Sequence, residues 1–66
     1  MKVGEVWELK EKYRDKSEHG DRVTINFLPR NHDGEEGVYY TYLESGIKSA
    51  LSRIKFLEYF RRDYNA

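Results

Sequence analysis

Two histidines, His19 and His32, are the first residues to weigh for acid–base or metal chemistry, because imidazole titrates near neutral pH and ligates metal ions. Both lie among charged residues in segments that look like loops, and neither has a partner at a metal-ligand spacing. They are expected to be solvated loop side chains. Asp33, Glu35 and Glu36 form an acidic cluster. It lacks the alternating oxygen ligands and fixed glycine of a calcium loop. Ser17, Ser45, Ser49 and Ser52 belong to no nucleophile motif, and the five glycines are scattered at turn positions rather than gathered in a phosphate-binding loop. A chain this short also has little room for a dry, concave pocket. The expectation is a protein that is not an enzyme and uses no metal and no cofactor.

Binding chemistry has better candidates. Tyr39, Tyr40 and Tyr42 fall in one short run. Alternation along a strand sends Tyr39 to the face opposite Tyr40 and Tyr42. Exposed tyrosine rings can anchor a protein partner or stack on bases. Arg53, Lys55, Arg61 and Arg62 give the C-terminal segment a basic side, diluted by Glu58 and Asp63. Lys10, Lys12, Arg14 and Lys16 recur at every second position, and would share a face if that segment were extended. The candidate partner-binding set is therefore Tyr39, Tyr40, Tyr42, Lys12, Arg14, Arg53 and Arg62. The competing expectation is that the tyrosines fill the core and the charges form a solvated surface.

Composition sets the frame for these side chains. Sixty-six residues make one small domain, whose core is marginal because little of its surface can be buried. The aromatics must supply much of that core. Twelve basic and twelve acidic residues leave no net charge, so the chain as a whole has no electrostatic pull on nucleic acid or membrane. There is no cysteine, hence no disulfide, which suits a reducing compartment. No apolar run approaches a membrane span and no signal peptide is visible. A cytoplasmic protein with a protein partner is expected, nucleic acid being the alternative partner.

The elements that must position the candidates are set by periodicity. Trp7 and Leu9 alternate with Val6, Glu8 and Lys10, which predicts a strand over about Glu5 to Lys10. A helix over 4–14 competes through Val6, Leu9 and Tyr13. Lys10–Asp21 is polar, with Tyr13 its one apolar residue, and is expected to be a mobile loop. In Arg22–Leu28 the alternation of Val23, Ile25 and Phe27 marks the clearest strand, and Pro29 ends it. Arg30–Glu36 is an acidic turn centred on Asp33-Gly34. Gly37–Leu43 is a third strand, and Glu44-Ser45-Gly46 a tight turn.

Ile47–Tyr64 divides less simply. One continuous helix would have an apolar stripe that slips sideways midway. A strand with Ile47, Ser49 and Leu51 on one face, then a helix capped by Ser52, removes that conflict. In such a helix Phe56, Leu57, Phe60 and Tyr64 would form the buried stripe. The fold class expected is mainly β, of α+β type. It is a small open barrel or bent antiparallel sheet of about four strands, with a C-terminal helix closing one end.

Val3-Gly-Glu-Val-Trp-Glu8, Val23-Thr-Ile25, Val38-Tyr-Tyr40 and Phe56-Leu-Glu-Tyr-Phe-Arg61 together resemble small phage- and prophage-encoded proteins with an SH3-like β-barrel. The resemblance spans most of the chain. It implies a fold more than a function, since such barrels host many binding roles.

Overall fold

The computed structural model describes residues 1–30, 32 and 34–65. Among these residues, five strands and two short helices run in the order β1 (Val6–Leu9), α1 (Glu11–Arg14), β2 (Arg22–Phe27), β3 (Gly37–Tyr42), β4 (Lys48–Ser52), α2 (Arg53–Tyr59) and β5 (Phe60–Arg62). All pairings are antiparallel, in one unclosed sheet ordered β4-β3-β2-β1-β5. The mainly β class with a helix near the C-terminus is as the periodicity predicts.

The core lies on one face of the sheet, under α2. Alternation sends Trp7, Leu9, Val23, Ile25, Val38 and Tyr40 to this face, and all six are buried. Phe56 and Phe60 complete the core from the C-terminal segment. Their rings stack with centroids 4.6 Å apart. Trp7 meets Phe56 edge-on at 5.3 Å, and Tyr40 meets both Phe56 and Phe60 at 5.4 and 5.3 Å. The quadrupoles of aromatic rings favour such tilted and offset contacts.

Segment 47–64 is strand, helix, then strand. Ser52 caps α2, its hydroxyl accepting from the Lys55 backbone N–H at 3.3 Å. The helix does not run on to Tyr64, because the backbone turns extended at Phe60 (φ −117°, ψ 153°). Phe60, Arg61 and Arg62 then pair with Leu9, Glu8 and Trp7. Pairing with β1 satisfies backbone groups that a frayed last turn would leave to water. The expected four-residue stripe thus shrinks to Phe56 and Phe60, while Leu57 is 39% and Tyr64 85% exposed.

Two further expectations are corrected. Phe27 was expected inside, yet it is 58% exposed. A bulge is the cause: Ile25 pairs with Tyr40 but Phe27 pairs with Tyr39, so two steps on β2 answer one on β3. The extra residue, Asn26, reverses the parity of the strand beyond it. Its side-chain amide donates to the Thr41 hydroxyl. The polar segment after β1, expected to be a loop throughout, begins with a helical turn. This turn is α1, in which Tyr13 is half-buried against Tyr59, ring centroids 4.8 Å apart. The competing helix over 4–14 is confined to that turn. Gly46, at φ +76°, closes the β3–β4 turn in a conformation that glycine adopts without steric cost.

Candidate functional site

The three tyrosines of β3 have three different environments. Tyr40 is a core residue, 3% exposed. Tyr39 stands on the opposite, outer face beside Phe27, ring centroids 6.1 Å apart. Tyr42 reaches the rim of the core, where its ring lies 5.7 Å from Tyr40 and 5.3 Å from His19. Burial first, then the Tyr40 phenol and a hydrogen bond with it, push the Tyr42 hydroxyl up to about 12. It is therefore a neutral group at physiological pH, suited to hydrogen bonding and packing rather than to proton transfer.

Tyr42 belongs to an open groove of about 330 Å³, lined chiefly by Leu9, Tyr13, Ser17, His19, Tyr42 and Tyr59. Its walls come from β1, α1 and the loop after it, the end of β3, and the end of α2. The loop is braced locally: the Ser17 hydroxyl donates to the Gly20 carbonyl and accepts from the His19 backbone N–H. Lys10 fixes the opposite wall, its ammonium donating to the Leu57 carbonyl at 2.9 Å. Sequence reading missed Tyr13, Tyr59 and His19 as neighbours of Tyr42. No local spacing links positions 13, 19, 42 and 59; the only signal was Tyr13 standing alone as the apolar residue of a polar segment.

The basic candidates are not gathered into a patch. Lys12 is exposed on α1, its ammonium 5.0 Å from the Tyr13 ring centroid. Arg14 is held inward: its Nε donates to the Leu9 carbonyl at 2.9 Å, and its guanidinium lies 3.3 Å from Glu8. Helix α1 rotates Lys12 and Arg14 apart, so the shared basic face expected of an extended Lys10–Lys16 does not form. Arg53, at the start of α2, donates to Glu36, whose other oxygen accepts from Arg30. Arg62 lies in β5, 3.8 Å from Glu5 and 5.1 Å from the Tyr64 ring centroid. Arg22 pairs with Asp63 and Arg61 with Glu8. Each of the six arginines thus has a carboxylate of its own chain within ion-pair distance.

These contacts set the acidic groups. The Arg53 and Arg30 guanidiniums hydrogen-bond to Glu36 and hold its carboxyl below the ordinary glutamate value. Burial pushes Glu5 up, but a backbone N–H of Lys2, the Trp7 indole N–H and Arg62 outweigh it and leave Glu5 lowered. Among the described residues, no three histidine, aspartate or glutamate side chains converge as a metal site would require. Asp33 of the acidic turn lies outside the described residues, and His32 is exposed. Among the described residues, no helix is long and apolar enough to cross a membrane. Comparison with protein-family models, curated proteins and solved structures found no match.

Proposed function

We propose that the chain is a small, non-enzymatic protein-interaction module with an SH3-like barrel, of the kind phages and prophages encode. The observation that carries the interaction reading is a contrast on the surface. Every arginine lies within ion-pair distance of a carboxylate of the same chain, with Glu8 and Glu36 each shared by two, while aromatic rings line an open groove. Tyrosine is enriched where proteins meet, because its ring gives contact area and its hydroxyl a hydrogen bond. The groove is large enough for one or two apolar side chains of a partner. The bent sheet supports the SH3-like reading: its first and last strands pair, and a short helix links β4 to β5 across the core. All four phrases that carry the resemblance supply core residues: Trp7, then Val23 and Ile25, then Val38 and Tyr40, and the stacked pair Phe56 and Phe60.

The alternative, a nucleic-acid-binding module, needs cations free to replace the counterions of phosphates. An arginine here would first have to leave its carboxylate. Two measurements separate the readings. Affinity capture with the intact chain as bait should recover a stoichiometric protein, and Tyr59→Ala, which opens the groove wall, should lose it while the far-ultraviolet circular dichroism stays unchanged. Recovery of nucleic acid alone, or tight binding to single-stranded DNA or RNA that weakens steeply with salt, would sink the protein-interaction reading.

A further inference from the structure

We infer that strand β4 is a self-pairing edge, through which a second copy of this chain extends the sheet about a two-fold axis at Ala50. The inference does not depend on the groove reading above.

The backbone of β4 decides which of its groups are free. In an antiparallel ladder, successive residues turn their N–H and C=O alternately toward one neighbour strand and the other. The Tyr42 N–H donates to the Ile47 carbonyl at 2.8 Å, and the Arg53 N–H donates to the Glu36 carbonyl at 2.9 Å. The register between them is unbroken, from Thr41 opposite Lys48 to Gly37 opposite Ser52. Positions 47, 49, 51 and 53 therefore face β3. Lys48 and Ala50 turn their donors and acceptors outward, and so does the Ser52 N–H, while the Ser52 carbonyl already accepts the first bond of α2; all three residues are exposed.

That outward set is symmetric about Ala50. In an antiparallel pair of two copies, Ala50 meets Ala50, and Lys48 meets Ser52 at either side. The Ala50 groups and the Ser52 N–H of one copy then find free groups of the other, the Lys48 N–H meets a Ser52 carbonyl that it must share with α2, and no like charges oppose each other within the three residues. Edge strands usually carry a device against such pairing: proline, a bulge, or several charges. β4 has no proline and no register break, and Lys48 is its one charge. At the other edge, β5 is three residues long and holds Arg61 and Arg62 side by side, which two antiparallel copies would bring together.

The outer face continues the same symmetry. Phe27 pairs with Tyr39, and Tyr39 with Ala50, so an apolar row crosses three strands and reaches the free edge. Phe27 is 58% and Tyr39 49% exposed. Pairing at Ala50 makes that row continuous across both copies, which is the isologous contact a two-fold dimer requires.

Sedimentation of the intact chain tests this. From about 10 μM to about 1 mM, a range that reveals weak self-association, its weight-average mass should climb from 7.9 kDa toward twice that. Ala50→Lys and Ala50→Glu should each stay monomeric, and an equimolar mixture of the two should dimerise. Amide exchange on the unmodified chain is the second readout and needs no variant to fold. The Lys48, Ala50 and Ser52 amides should become more protected with concentration, those of Ser49 and Leu51 much less so. A mass fixed at 7.9 kDa overturns the inference, as does dimerisation that survives Ala50→Lys. Protection of those three amides only when another protein is added would assign the edge to that protein, and also overturns it.

Discussion

Phe60 is the residue on which the end of the chain depends. It is 2% exposed, stacks on Phe56 and meets the Tyr40 ring. Truncating a buried phenylalanine typically costs about 3–5 kcal/mol, against a total stability at the low end of about 5–15 kcal/mol for a chain this small. Phe60→Ala should leave a large unfolded fraction at 37 °C, whereas Ile54→Ala, at a side chain 81% exposed on the same segment, should shift stability by less than about 0.5 kcal/mol. Thermal melts of the two variants check this; equal, small shifts would mean the C-terminal segment does not close the core. Arg62 is a poorer control than its place in the sequence suggests, because its Nε is buried beside Glu5. Tyr42 gives a second test at this scale. Its phenol titrates at about 12 in the fold against 10.0 for the free group. The contribution is full below pH 10 and lost as pH rises from 10 toward about 12, because the unfolded chain gives up the proton first. Alkaline melts should show that loss, and Tyr42→Phe should show less of it; an unchanged alkaline limb would place the Tyr42 hydroxyl in water.

At the scale of elements, α2 is seven residues long and cannot stand alone. It exists because Ser52 caps it and because Phe56 and Phe60 bury its end. Ser52→Ala removes the acceptor for the Lys55 N–H and should cost about 0.5–2 kcal/mol, read from denaturant midpoints. A shift near zero would assign the helix to packing alone. The same elements show what sequence could and could not reveal. Strict alternation set Trp7 and Leu9 inside and grouped Val23 with Ile25 and Val38 with Tyr40, though it left Tyr40 between core and partner surface, and a slipping helical stripe located the break at Ser52. Both are local signals that tertiary context did not override. Phe27 was misplaced because a bulge at Asn26 is decided by the partner strand, and nothing in Asn-Phe-Leu announces it. β5 was hidden for a related reason: Phe60, Arg61 and Arg62 suit a helix locally and become a strand only because β1 offers them an edge. The groove was the least legible, since Tyr13, His19, Tyr42 and Tyr59 meet only once α1, the loop after it, β3 and α2 are assembled.

For the whole molecule, electrostatics joins segments far apart in sequence. Glu8 of β1 is approached by Arg14 from α1 and Arg61 from β5, Arg22 of β2 reaches Asp63, and Glu36 takes both Arg30 and Arg53. Each exposed pair contributes little on its own, because solvent and salt screen it. Their joint effect is visible in pH dependence. Glu36 is held below the ordinary value of 4.5 by its two arginines, and Glu5 is lowered by its Lys2, Trp7 and Arg62 contacts in spite of burial. A carboxyl whose value drops on folding stabilises the fold above its unfolded value, and loses that contribution as pH falls through the folded value. The melting temperature should therefore be level from about pH 5 up to the alkaline loss set by Tyr42 and decline progressively below 4.5, as the unfolded chain takes up protons that the fold resists. Glu36→Gln removes one such proton site together with its charge. Its melting temperature should lie closer to that of the parent at about pH 3 than at about pH 7, because the parent has by then lost the same ion pairs. Melts of both chains at the two pH values decide the matter: a constant gap between them would mean that the charge on Glu36 is not held by Arg30 and Arg53 in solution.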